Sequence, residues 1–157
     1  TFNMAGLGSS CMMIPNPELK QKISDSYDAC WMFGPCDLAF TAMEAAYTHG
    51  DAWVDQQLAY LEGNVETVNS FVAEHMPGVQ VTKHEGTFLM WLDMTCFGKS
   101  SRELTSILAK EYGLALGDGS HYGTQAEGFM RLNIGCTRDT LIKGLEQMAV
   151  MYDKYVK

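Results

Sequence analysis

Apolar and polar positions change period several times along this chain, and the changes mark its elements. In the stretch 52–75 the residues Val54, Leu58, Leu61, Val65, Val68 and Val72 step by four and three. That spacing predicts one long amphipathic helix from Ala52 to His75, with Asp51 as its N-cap. Ahead of it, Gly8 to Ile14 reads as a short extended segment that Pro15-Asn16-Pro17 breaks before a helix from Glu18 to Trp31. Gly34-Pro35 is the next break. A helix from Cys36 to Tyr47 follows, rich in small side chains that permit close packing.

Beyond residue 78 the period shortens. Val79 to Thr82 and Thr87 to Asp93 read as strands, and the Ser100-x-x-Glu103 spacing is that of a capping box opening a helix that ends at Gly113. Leu114 to Leu116 and Phe129 to Ile134 supply two further strands. Thr137 caps a last helix whose Leu141, Leu145, Met148 and Tyr152 recur at four, three and four. Strands followed by flanking helices make this second half a compact α+β unit.

Composition narrows the classes. The chain has 157 residues, 46% of them hydrophobic, which suffices for one core. A formal net charge of -8 without any basic stripe argues against nucleic acid as a partner. No apolar run is long enough to span a bilayer, so no membrane role is expected. Cys11, Cys30, Cys36, Cys96 and Cys136 are odd in number and scattered, neither a disulfide framework nor a metal site. A reducing cytoplasm fits that usage best. Thr1 is not an initiator methionine and no charged-then-apolar leader follows it, so the start reads as neither a native N-terminus nor a signal peptide.

The strand 129–134 carries the candidate chemistry. Alternation sends Phe129, Arg131 and Asn133 to one face and Met130, Leu132 and Ile134 to the other. A guanidinium offers a fork of N–H donors matched to a carboxylate, so Arg131 is a candidate clamp for a small acid. The competing reading is a solvated strand face. Asn133 either supports that clamp or satisfies the strand end. His121 lies in the glycine-bounded loop 117–123 and has no partner at a recognisable spacing, which makes a surface role the stronger reading. His49, His75 and His84 show still less. Lys20, Lys22, Lys83, Lys99, Lys110, Lys143, Lys154 and Lys157 all stand in polar settings, unlike a desolvated amine.

Three segments together, Thr1-Phe2-Asn3-Met4-Ala5-Gly6-Leu7, Glu85-Gly86-Thr87-Phe88-Leu89-Met90-Trp91-Leu92-Asp93 and Gly128-Phe129-Met130-Arg131-Leu132-Asn133-Ile134-Gly135, carry a resemblance. They are similar, in order, to the C-terminal part of a fold-type-I pyridoxal-phosphate (PLP) enzyme of the class I/II aminotransferase superfamily, in its cystathionine β-lyase branch (MalY/PatB type). The resemblance implies an α/β enzyme of PLP-dependent transferase fold, represented here by a long connecting helix and a small mixed sheet with flanking helices. Residues 1–53 would be the residual C-terminal part of the PLP-binding large domain and the connection. Residues 54–157 would be the connecting helix and the small domain.

The same resemblance implies a Schiff-base lysine immediately before Thr1 and a large-domain segment missing on the N-terminal side, so that no catalytic residue stands in this chain. Arg131 would hold the substrate α-carboxylate, with Asn133 a weaker candidate, and Thr1, Ser9 and Ser10 would touch pyridoxal 5'-phosphate. Gly8 stands where aspartate-aminotransferase-like members place a phosphate-binding arginine, and Thr137 where this branch commonly has proline. The implied activity is cleavage of cystathionine or a related cysteine S-conjugate to a thiol, pyruvate and ammonia, by a homodimer taking a small amino acid as substrate. An aminotransferase shares the same features, and a non-catalytic fragment containing the small domain is the reading from another class.

Overall fold

The computed structural model describes residues 1–157 apart from Phe33, Pro35 and Lys157. The break expected at Gly34-Pro35 therefore falls partly outside the described residues, as does the setting of Lys157. The chain divides into two compact units, Thr1–Gln57 and Leu58–Lys157.

The first unit is helical. After a 3-10 turn at Ala5–Leu7 the backbone from Gly8 to Asn16 forms no regular element, so the expected extended segment pairs with nothing. A lone apolar stretch has no ladder to join, and its backbone stays irregular. Helix α1 spans Pro17–Ala29, with Pro17 at its first position and the Asn16 side chain accepting from the Leu19 amide at 3.0 Å. Helix α2 spans Asp37–His49. Helix α3 covers Asp51–His75, and the boundary between the units falls inside it. Asp51 is thus the first helical residue and not the cap; Gly50 precedes it, and its carbonyl accepts from the Val54 amide. Ala39 is the one fully buried residue of the first unit among those described, while Met13, Trp31 and Leu38 stand in the open.

The second unit holds the hydrophobic core. Its sheet runs β1 (Gln80–Val81), β2 (Leu89–Asp93), β3 (Gly117–Asp118) and β4 (Phe129–Asn133), in spatial order β1-β2-β4-β3. Every pairing is antiparallel, where the sequence reading expected a mixed sheet. The strand expected at Leu114–Leu116 forms instead at Gly117–Asp118, because the pairing partners offered by β4 are Arg131 and Met130. Leu114 and Leu116 pack into the core without joining the ladder.

Alternation then decides the faces. Met90, Leu92, Met130 and Ile134 are buried on one side, where Val68 and Val72 of α3 join them. Helix α4 (Ser101–Tyr112) adds Leu104 and Leu108, and α5 (Arg138–Tyr155) adds Leu141, Leu145, Met148, Met151 and Tyr152. Both helices begin as the sequence reading expects. Ser100 and Glu103 exchange both bonds of the capping box, and the Thr137 side chain accepts from the Thr140 amide. Gly113 ends α4 at a φ of 66°. The opposite face of the sheet, carrying Trp91, Phe129 and Arg131, is left only half-covered.

Candidate functional site

The open face of β2 and β4 is where the sequence-predicted arginine stands. Arg131 sits directly across from Trp91 on β2 and from Gly117 on β3. The absence of a side chain at Gly117 matters here: a Cβ there would lie 3.1 Å from both Cβ and Nε of Arg131. The guanidinium lies over the Tyr122 ring, 5.3 Å from its centroid. Tyr122 meets Trp91 edge-on at 5.5 Å, and Trp91 stacks on Phe129 at 5.8 Å. One ring, Tyr122, therefore lies against the cation, and Trp91 and Phe129 continue the aromatic contacts from it along the same face.

Among the described residues, no carboxylate or carbonyl accepts a hydrogen bond from the Arg131 guanidinium, although its side chain is only partly exposed. A half-buried guanidinium whose donors no described residue takes and which lies over one ring is suited to a planar anion with two oxygens sharing the charge, such as a carboxylate. A shallow groove of about 370 Å³ between α3 and the β1–β2 connection offers the opposite field, since Glu62, Glu66 and Glu85 line it.

Tyr122 owes its place to the turn that carries it. The chain leaves β3 through a 3-10 turn at Gly119–Tyr122, and the Asp118 carboxylate accepts from both the Ser120 amide, at 2.9 Å, and the Ser120 hydroxyl, at 2.7 Å. Those bonds from Ser120 hold the Asp118 carboxyl below its ordinary range, helped by the positive fields of His121 and Arg102. Gly119 lies against the carbonyl oxygens of Ala126 and Phe129, so closely that no larger residue fits. His121 itself is exposed and forms no hydrogen bond with any described residue, as the surface reading expects.

The remaining sequence-predicted residues fall in two places. Asn133 is exposed, and its Oδ1 accepts from the Gly135 amide at 2.8 Å, which turns the chain after β4. Thr1, Ser9 and Ser10 belong to the first unit. There Phe2 packs edge-on against Tyr47 at 5.1 Å and stacks near Trp53 at 6.4 Å, anchoring the opening segment. Gly8 adopts a φ of 62°, and Ser9 and Ser10 follow it with hydroxyls that no described residue engages.

Two described lysines are held in surface ion pairs. Lys83 pairs with Glu85 at 2.6 Å, and Lys154 pairs with Glu111 at 2.7 Å, which together with Tyr155 drives its ammonium far above the usual lysine range. Tyr122, Trp91 and Gly117 were invisible as site residues in the sequence, because their role rests on cross-strand register. The aromatic at 129 and the glycine-bounded loop were the available signals.

No family model matches the chain. It is 38% identical over 148 residues to the cystathionine beta-lyase PatB of Bacillus subtilis, a match covering 94% of this chain and 38% of that protein. A PLP-bound putative aminotransferase from Clostridium difficile superposes with a TM-score of 0.91 at 33% identity, over 97% of this chain and 39% of that one. Cystalysin from Treponema denticola, whose structure contains pyridoxal 5'-phosphate, superposes with a TM-score of 0.90 at 25% identity, over 99% and 39%. The chain thus spans about two fifths of the length of the relatives it matches.

Proposed function

Since the chain belongs to the fold-type-I PLP-dependent enzymes, as a C-terminal stretch in their cystathionine β-lyase branch, we propose that its whole protein is a carbon–sulfur β-lyase. Its substrate is cystathionine or a similar cysteine S-conjugate, and its products are a thiol, pyruvate and ammonia. The observation that carries the site is the Arg131 guanidinium, half-buried over the Tyr122 ring with donors that no described residue takes.

Pyridoxal 5'-phosphate, when bound, supplies the electron sink for the pair left at Cα. The residues of this chain do the rest of their work by placement. Arg131 binds the α-carboxylate through paired N–H donors and so fixes which bond of Cα faces the cofactor. Tyr122 shields one side of the guanidinium from water, which strengthens that contact. Thr1, Ser9 and Ser10 offer donors to phosphate oxygens. The lysine that moves the Cα proton is assigned outside the described residues, whose lysines stand in polar settings at or near the surface. Asn133, bonded to Gly135, supports the strand end and not the carboxylate.

We further assign residues 1–53 to the large domain and 54–157 to the connecting helix and small domain, in a cytoplasmic homodimer; a boundary between compact units that falls within α3 supports the division. The exposed Met13, Trp31 and Leu38 support burial against the rest of the polypeptide or a second copy. Light scattering of the intact protein should give a dimer mass, and a fully active monomer would refute the dimer.

The structural match to a putative aminotransferase keeps transamination as the second reading. The two separate when intact protein meets cystathionine without any keto-acid acceptor. A lyase releases pyruvate and homocysteine over many turnovers. Turnover that halts after one equivalent and resumes when a keto acid is added establishes the aminotransferase.

A further inference from the structure

Arg131 orients a carboxylate only as well as the backbone beneath it is fixed, and β4 is a strand of five residues. Among the described residues two polar side chains are fully buried, Asn64 on α3 and Ser101 at the start of α4, each 0% exposed. They come from different helices, yet both direct their hydrogen bonds at the main chain flanking β4. Ser101 Oγ accepts from the Gly128 amide at 2.7 Å and lies 3.4 Å from the carbonyl oxygens of Phe129 and Ala126. At the other end, Asn64 Nδ2 donates to the carbonyls of Ile134 at 2.8 Å and Cys136 at 3.2 Å.

Asn64 is itself held. Its Oδ1 accepts from Arg138 Nε at 2.9 Å, and the Arg138 guanidinium lies over the Tyr60 ring at 5.2 Å while donating to the Tyr60 carbonyl at 3.2 Å. The Arg138 amide donates to the Tyr60 hydroxyl at 2.8 Å. Gly63 leaves the space in which that guanidinium lies. An apolar side chain at 64 or 101 would avoid the desolvation cost of a buried polar group, whereas a fully bonded one fixes a single arrangement of the strand it grips.

We propose that Asn64 and Ser101 are positioning residues, gripping β4 from both ends so that the Arg131 guanidinium stands at the height the substrate carboxylate requires. This rests on the reading of Arg131 as the carboxylate clamp. The two anchors lie on the core side of the sheet and touch no ligand themselves.

The test uses the intact, cofactor-loaded protein with Asn64→Asp and Ser101→Ala. Asn64→Asp keeps the volume and the acceptor for Arg138 but loses both donors to β4; Ser101→Ala removes the acceptor of the Gly128 amide. Two probes separate the carboxylate from everything else: 3-(methylthio)propionate, which has no amine, and 2-(methylthio)ethylamine, which has no carboxylate. Each variant should weaken equilibrium binding of the propionate about tenfold and leave binding of the amine unchanged. KM for S-methylcysteine should rise in step while kcat moves less.

In an Arg131→Ala background the further loss should vanish, because the anchors act through Arg131. Equal losses for both probes, losses that persist without Arg131, or no loss at all would overturn the proposal. If Asn64→Asp does not fold, Ser101→Ala decides. Wild-type affinity for the propionate in Arg131→Ala alone would instead overturn the reading of Arg131.

Discussion

At the scale of single residues, the site depends on one guanidinium and on what keeps it available. Arg131→Ala in the intact protein should weaken binding of an amino-acid substrate by about 1.5–3 kcal/mol, the worth of a charge-assisted contact. The fold should survive, since Arg131 stands on the half-covered face; unchanged Kd and KM would place it on a merely solvated surface. Asp118 gives a second prediction. Its pKa is lowered in the folded chain, chiefly by the Ser120 hydroxyl, from a reference value of 3.8. A lowered folded value means the unfolded chain binds the proton more readily, so the carboxylate stabilises its turn at pH above 3.8 and loses that effect as the pH falls through the lower folded value. Tryptophan fluorescence from Trp91, which touches Tyr122, should thus hold steady down to that point and change below it, and Asp118→Asn should remove the acid-side change. Arg131 itself was legible from the sequence as a cation out of place in an apolar alternation. Asn64 was not, because at helical spacing it is one more polar residue beside a valine stripe, and only the fold shows it at 0% exposure.

At the scale of elements, the caps and stripes were readable because they are local. Ser100 and Glu103 are three residues apart and close their box within one turn, and Thr137 does the same for α5. The errors fell where an element depends on a distant partner. Gly8 to Ile14 has apolar content and no strand to pair with, and β3 slides from Leu114–Leu116 to Gly117–Asp118 because β4 dictates the register. Asp51 has a cap's chemistry, but with Gly50 before it the helix begins one residue early. The alternation in β4 has a direct consequence for stability. Met130 is 0% exposed at the centre of the sheet, across from Leu92 and beside the core helices. Met130→Ala should cost about 2–5 kcal/mol, the loss of a buried side chain plus the cavity it leaves. Thermal or denaturant unfolding of the intact protein measures this, and a change near zero would mean β4 presents its other face to the core.

At the scale of the whole molecule, the two units differ in self-sufficiency. Leu58–Lys157 carries a continuous core, while Thr1–Gln57 buries only Ala39 among its described residues. The reading of the active site as shared with further polypeptide makes a concrete claim about lysine. Borohydride reduction of the intact, cofactor-loaded protein followed by peptide mapping should label no lysine from residues 1–157, and stoichiometric label on any of them would overturn that assignment. The sequence by itself determined the helices, the caps Ser100 and Thr137, the core-facing positions of β4 and α5, the family resemblance and the candidacy of Arg131. Each follows from residue type at short spacing, where backbone geometry leaves few choices. Only the tertiary structure decided the antiparallel order β1-β2-β4-β3, the placing of Tyr122 under Arg131 with Trp91 and Phe129 beside it, and the hydrogen bonds of Asn64 and Ser101 to the main chain flanking β4. Those arrangements join residues far apart in the chain, and strand register and helix docking, set by how the whole core packs, decide which of them meet.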